Sequence, residues 1–264
     1  MKKHLQPYFS AQMTDLSSSR GGLQMDEFQF HFQPKVDVQN NRVIGYEILL
    51  RNKEQNPHYP AAKMEKIIHS KKEHSHFLNW FQEELVRLVQ LFPTVQFSIN
   101  FAPRQLFYPE TTAFFTTMQP YAKQLVIEIT EDAPLFAAST ENVDSLTIDQ
   151  QLQSIFASIK AKGYCIALDD VGSGKNSLDE VLKYTPYLDQ IKFSIVKCTK
   201  KDIKEETLHL FLGAWQRFSE DYHLDFIVEG IEDQATSEGL KEQGIVLQQG
   251  YHFGKPSKCI KKCR

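Results

Sequence analysis

The chain lacks any run approaching the roughly 20 consecutive apolar residues that a membrane-spanning helix needs, and its opening MKKHLQPYFSAQMTD has no long apolar segment of the secretory kind. A cytoplasmic protein without a membrane partner is therefore expected. Cysteine is scarce: Cys165, Cys198, Cys259 and Cys263 are scattered through 264 residues, which suits reduced thiols better than a disulfide framework. Cys259 and Cys263 lie in a Lys-rich tail with no second His or Cys pair nearby, so a solvated tail is read there in preference to a zinc site. Net charge is small, −3 from 30 basic and 33 acidic residues. That argues against a broad basic surface for a DNA or RNA duplex, while leaving room for a local pocket that takes a small anion. Twelve glycines and eleven prolines are too few to mark an interdomain linker, and no internal repeat or low-complexity segment is visible. With 41% hydrophobic residues the chain can bury one large core.

What is present is alternation. Residues 1–25, with the run SSSRGG, read as a flexible polar leader, 26–258 as one domain, and 259–264 as a basic tail. FQFHFQPKVDV and RVIGYEILLR form an apparent hairpin turning at Gln39-Asn40-Asn41. A long helical stretch through LNWFQEELVRLVQLF precedes VQFSINF, and the order then becomes regular. Helices at PRQLFYPETTAFFTTM, IDQQLQSIFASIKAKG, SLDEVLKYTP, EETLHLFLGAWQRFSEDYH and DQATSEGLKEQG each precede a strand: LVIEITE, YCIALDD, LDQIKFSIV, LDFIVEGIE and IVLQQGYHFG. The class is α/β, and about eight strands favour a closed barrel over an open sheet. Either architecture places function at the carboxyl ends of the strands.

Six acids, Glu47, Glu128, Asp169, Asp170, Glu229 and Glu232, follow short apolar runs of that kind. Parallel neighbours would bring Glu128, Asp169 and Glu229 to one rim, with Asn100 adding a neutral oxygen. Crowded carboxylates repel and raise one another's pKa, so such a cluster persists when cations neutralise it. All-oxygen ligation points to a hard ion, Mg²⁺ or Mn²⁺. The pair Asp169-Asp170 can reach two ions, the recurrent arrangement for phosphoester hydrolysis. Any one of these acids taken alone is more often a helix N-cap or a solvated loop residue, and the case rests on the six together with Asn100. The loop VGSGKNSL fits neither a GxGxxG nor a P-loop. Lys192, inside the apolar run QIKFSIV, is costly there unless it faces charge, so it is read as a pocket residue that could orient water or steady transition-state charge.

The ordered set FQP, YEILLR, SIN, IEITE, ALDDVGSG, IKF, VEGIE and QQGYHFGKP resembles the EAL-domain family of cyclic di-GMP phosphodiesterases, from Phe28 to Pro256. The resemblance implies a modified TIM-type (βα)8 barrel with one antiparallel strand. It implies that Glu47, Asn100, Glu128 and Asp169 bind one divalent cation and that Asp169 and Asp170 bind a second. It further implies that Glu229 holds metal-bound water or acts as base and that Lys192 positions the nucleophilic water, with Asp170 counted among the catalytic residues. Gln33, Leu49, Arg51 and Gln249 resemble the family's ligand contacts, Arg51 suiting a phosphate by its charge. Glu131 and Glu232 resemble residues that brace the Asp-Asp loop and the metal rim. A homodimer through the loop and helix after Asp170 is implied as well.

Two segments depart from the family pattern. DDFGTGYSSL becomes Asp169-Asp170-Val171-Gly172-Ser173-Gly174-Lys175-Asn176-Ser177-Leu178, and Lys-Ile-Asp becomes Lys192-Phe193-Ser194, which removes a carboxylate near the second ion. The implied function is hydrolysis of cyclic di-GMP to linear pGpG. The competing reading is a weak or inactive module that senses cyclic di-GMP or binds a protein partner, and an unrelated phosphoester is a third.

Overall fold

Residues 28–37 alternate apolar side chains, phenylalanine at 28, 30 and 32, with polar ones, the period of two that a strand with one apolar face requires. They form β1 (Phe28–Asp37), which turns where the sequence indicates and returns as β2 (Arg42–Asn52). Asp37 holds the turn: its carboxylate accepts the backbone N–H groups of Gln39 and Asn40, each at 3.1 Å, and the Asn40 amide at 2.7 Å. Asn41 takes φ 49°, a left-handed conformation that asparagine tolerates.

The computed structural model describes residues 24–131, 145–172, 176–199 and 203–260. The expected leader thus lies outside the described residues up to position 23, and the tail does so beyond Ile260. Met25 is buried against the core, so ordered packing begins inside the segment read as leader. After β2 come β3 (Phe97–Phe101), β4 (Leu125–Ile129), β5 (Cys165–Leu168), β6 (Gln190–Ser194), β7 (Asp225–Glu229) and β8 (Leu247–Gln249), and the eight close into one barrel in chain order. From β2 to β8 each strand is parallel to the next, whereas β1 is antiparallel to both β2 and β8. The modified (βα)8 barrel with one reversed strand is therefore what the chain forms.

The helices are α1 (Ala61–His69), α2 (Lys71–Leu91), α3 (Pro103–Leu106), α4 (Pro109–Thr117), α5 (Ser145–Ala161), α6 (Leu178–Tyr184), α7 (Ile195–Thr199), α8 (Glu205–Asp221) and α9 (Gln234–Glu242). Three differ from the sequence reading. The helix expected at PRQLFYPETTAFFTTM is two, because Pro109 cannot donate to the preceding turn and restarts the helix at α4. The strand expected to run through Ile195-Val196 stops at Ser194, and α7 begins at once. α1 was not anticipated as a separate helix; Ser70, whose hydroxyl accepts the Glu73 N–H, caps α2 and divides the two.

The apolar face of α2 seals the outside of the barrel beside β1. Phe77 stacks on Phe81 at 5.2 Å between centroids, Phe28 meets Phe77 edge-on at 6.2 Å, and Phe30 meets Phe81 edge-on at 5.5 Å. His74 on the same helix is fully buried, within 2.7 Å of Thr111 Oγ1 and accepting at Nδ1 from the Gln105 amide at 3.3 Å. Burial lowers its pKa to about 4. An imidazole that takes up its proton more readily unfolded than folded contributes stability present above about 6.5 and lost as pH falls toward 4. Lowering the pH from 7.5 to 5 is expected to cost about 2 kcal/mol through this residue. Urea midpoints of the parent and of His74→Gln at the two pH values measure it, and equal pH dependence in both would show that His74 is not responsible.

Candidate active site

Each parallel strand delivers its carboxyl end to one rim, and the register aligns the polar positions there. Asn100 lies beside Glu128, Ser194 beside Glu229, Glu229 beside Gln249, and Gln33 opposite Glu47. Glu229 is the last residue of β7, and Asp169 directly follows β5. Glu128 is one residue short of the end of β4, and Glu47 sits mid-strand because the β1–β2 hairpin continues beyond the barrel to Asn52.

At the centre is Lys192, with no exposure to solvent. Its ammonium is 2.5 Å from Glu229 Oε1, 2.7 Å from Glu128 Oε2, and 3.5 Å from both Glu47 Oε2 and Asp169 Oδ1. Asn100 Nδ2 donates to Glu47 Oε1 at 2.9 Å, and Gln249 Nε2 donates to Glu47 Oε2 at 2.7 Å. A second buried lysine lies below. Lys35, on the reversed strand, donates to Ser98 Oγ and to Glu128 Oε1, the latter at 3.3 Å. The sequence reading missed it, although the signal that marked Lys192, a lysine between apolar neighbours, was present at Pro34-Lys35-Val36.

The electrostatics follow from this arrangement. Burial would raise the Glu128 carboxyl, but Lys192 and then Lys35 overcome it and hold it down to about 2. Asp169 goes the other way: burial pushes it well above the carboxylate range, and Glu229, Glu128 and Asp170 add to that against the pull of Lys192. Glu229 is pushed up to about 7 by burial, reinforced by Glu47 and Glu128 and opposed by Lys192. Burial opposes the charged form of Lys192, yet Asp169, Glu128, Glu229 and Glu47 outweigh it and raise its pKa well above the ordinary value.

Fully ionised, the four carboxylates would exceed the two ammoniums by two charges, and the raised carboxyls of Asp169 and Glu229 offset that excess by holding protons. Among the described residues no three His, Cys, Asp or Glu side chains by themselves converge to hold a metal ion, since the ammonium stands at their centre. The donor set nevertheless fits one hard divalent cation at Glu47, Asn100, Glu128 and Asp169. All donors are oxygens, a dication would offset the excess that the cluster carries when ionised, and the buried Gln249 Oε1 beside Glu47 has no hydrogen-bond partner.

The loop after β5 is arranged differently. Asp170 has φ 55° and donates its N–H to Asp169 Oδ1 at 3.0 Å, while Asn176 Nδ2 donates to the Asp169 carbonyl. A left-handed aspartate stores about 1–3 kcal/mol of strain, which is common where a loop is held for function. Val171, at the position the family resemblance gives to an aromatic residue, is buried, and its N–H donates to the Lys192 carbonyl at 2.9 Å. Gly172, φ 77°, abuts the indole of Trp215, where an added Cβ would come within 2.7 Å of Nε1. Ser173, Gly174 and Lys175 lie outside the described residues. Asp170 Oδ2 pairs with Lys197 Nζ at 2.6 Å, and the same ammonium contacts Glu131 Oε1. Glu131 thus does reach this loop, through a lysine the sequence reading passed over. Glu232 does not join the cluster: it is exposed in the turn beyond β7, where Gly230, φ 84°, has already ended the strand.

Of the expected ligand contacts, Gln33 and Leu49 are half-buried on the hairpin. Leu49 and Arg51 line a cavity of about 260 Å³ that shares Glu47 and Asn100 with the cluster and has an apolar wall including Met64 and Phe77. Arg51 donates to the Leu50 carbonyl at 2.9 Å.

Residues 16–256 match the family model described as EAL domain. The chain belongs to this family. Among its relatives, the probable cyclic di-GMP phosphodiesterase PdeN of Escherichia coli strain K12 is 27% identical over 89% of this chain and 44% of its own length. The cyclic di-GMP phosphodiesterase RocR of Pseudomonas aeruginosa is 24% identical over 93% of this chain and 62% of its own. The EAL chain therefore spans about half the length of the relatives it matches. Klebsiella pneumoniae BlrP1, solved with calcium and cy-diGMP and also with manganese and cy-diGMP, superposes with a TM-score of 0.71 at 22% identity over 92% of this chain and 59% of BlrP1. At that identity the likeness is one of fold. Among the described residues no helix is long and apolar enough to cross a membrane.

Proposed function

We propose that this EAL domain is a metal-dependent phosphodiesterase that opens cyclic di-GMP to linear pGpG. The observation that carries the reading is the fully buried Lys192 ammonium facing Glu47, Glu128, Asp169 and Glu229 from four strands of the barrel. Glu47, Asn100, Glu128 and Asp169 would hold a divalent cation, Mg²⁺ or Mn²⁺, in keeping with the calcium and manganese complexes of BlrP1. That ion, when bound, supplies Lewis-acid polarisation of the scissile phosphodiester. Glu229 takes the proton of the attacking water, its carboxyl raised toward the range where a general base is effective. Lys192 fixes Glu229 by its 2.5 Å contact and balances the charge that builds on the phosphate. Gln33, Leu49, Arg51 and Gln249 would contact the substrate, with Arg51 at the wall of the cavity suited to a phosphate. Glu131 braces the Asp169-Asp170 loop through Lys197, whereas Glu232 is exposed beyond β7.

The second ion expected between Asp169 and Asp170 does not fit as readily, because Asp170 is already paired with Lys197 and Ser194 stands where an acid would add a ligand. These two features favour a second reading, a sensor that binds cyclic di-GMP without turnover. The exposed Leu178 and Leu182 on α6 support a homodimer through that helix.

Purified protein incubated with cyclic di-GMP and Mg²⁺ or Mn²⁺ is expected to release pGpG, and Glu47→Ala to lose about 10³-fold in turnover, the several kcal/mol that one ion contributes. Micromolar binding without product would select the sensor. Neither binding nor product would sink both readings.

A further inference from the structure

Lys197 holds the carboxylate of Asp170, one of the two aspartates that a second cation would need. α7 starts immediately after β6, and its third residue sends an ammonium back over the loop to within 2.6 Å of Asp170 Oδ2, with Glu131 Oε1 as its other oxygen. The helix is closely seated: Val196 packs on Gly230, where an added Cβ would come within 2.5 Å of the valine side chain. Asp170 is tied in turn to Asp169, whose carboxylate belongs to the Lys192 cluster. Ser194, beside Glu229 on β6, adds no carboxylate to the position.

We propose that the Lys197 ammonium takes the place of the second divalent cation, so that this chain binds one metal ion where Asp169 and Asp170 would otherwise share another. The proposal rests on the one-ion site described under Proposed function. A divalent ion bound to Asp170 would lie about 2.0–2.6 Å from its oxygens. That leaves it within a few ångströms of an ammonium held by the same carboxylate, and like charges so close in a half-buried site repel strongly. The ammonium also satisfies Asp170 and Glu131 together, its three donors being able to turn toward both oxygens. It neutralises the loop without metal, and the loop keeps its left-handed Asp170.

The test counts ions. The full chain is stripped with chelator and titrated with Mn²⁺, the free ion being followed by electron paramagnetic resonance. One Mn²⁺ per chain is expected for the parent and for Lys197→Arg, and two for Lys197→Met, with the second site tightened at least tenfold. Lys197→Gln carries the same readout should the methionine variant fail to fold. Two ions in the parent would overturn the proposal, because the lysine would then have been displaced. One ion in both neutral variants would overturn it as well, since removing the ammonium would have opened no site. Glu47→Ala, read in parallel, is expected to lose the single ion; no ion bound by any variant, the parent included, would overturn the metal site of the proposed function and this inference with it.

Discussion

Lys192→Met is expected to destabilise the fold by about 3–5 kcal/mol and to abolish turnover. The loss comes from what the substitution leaves behind: Glu128, with no exposure, keeps only Lys35, and Glu229 loses its 2.5 Å counter-ion. Removing one partner of a buried ion pair costs far more than the pair contributes, because an uncompensated charge stays in a poorly solvating interior. The pH dependence identifies the cause. Without Lys192 the carboxylates have raised pKa values in the folded state, so the folded chain binds more protons than the unfolded one and the variant loses stability as pH rises. Urea midpoints at pH 5 and 8 should therefore show the larger deficit at pH 8. The double variant with Glu128→Gln should recover part of it. A deficit equal at both pH values would mean that lost packing, not stranded charge, is responsible.

Glu229→Gln is expected to cut turnover by about 10²–10⁴-fold, the contribution of a general base, while making the metal-free protein more stable. The carboxyl of Glu229 is pushed up to about 7 from an ordinary 4.5. A group that holds its proton more tightly folded than unfolded weakens the fold as pH climbs from 4.5 through 7. Glutamine copies the neutral acid and removes that loss, so with divalent ions chelated the variant should gain about 2–3 kcal/mol at pH 8 and little at pH 4. Activity and stability thus move in opposite directions, as expected where like charges are kept together for chemistry. A variant that lost both would make Glu229 a structural acid.

The strands were legible because buried parallel strands read as short apolar runs, and an acid or lysine inside such a run stands out against its neighbours. Glu128, Asp169, Glu229 and Lys192 were visible for that reason, and the structure brings them to one point. Lys35 was hidden by the alternation of β1, where it shares a polar face with Gln29, His31 and Gln33. Such a face normally meets water, and only closure of the barrel onto β8 turns it inward. Lys197 was hidden by a change of period. QIKFSIV continues a strand pattern through Val196, but the chain coils into α7 after Ser194, which aims Lys197 at the loop instead of along the sheet. Glu232 is the opposite case, an acid that the structure leaves outside the Lys192 cluster. FIVEGIE looks continuous, yet Gly230 bends out of the strand and leaves Glu232 on the surface. What could not be read were the closure of the barrel behind Lys35 and the two places, after Ser194 and at Gly230, where the backbone redirects the residues that follow.

The reversed β1 also determines how the domain is approached. Phe28 pairs with Asn52 at the rim that carries the acids, while the Gln39-Asn41 turn lies at the far end of the barrel. β1 therefore begins at the mouth of the pocket, where the first strand of an all-parallel barrel would begin at the floor. A reporter placed in the Gln39-Asn41 turn leaves that mouth clear. The reversed strand thus gives the barrel two unlike ends at its first hairpin, one bordering the acids and one remote from them.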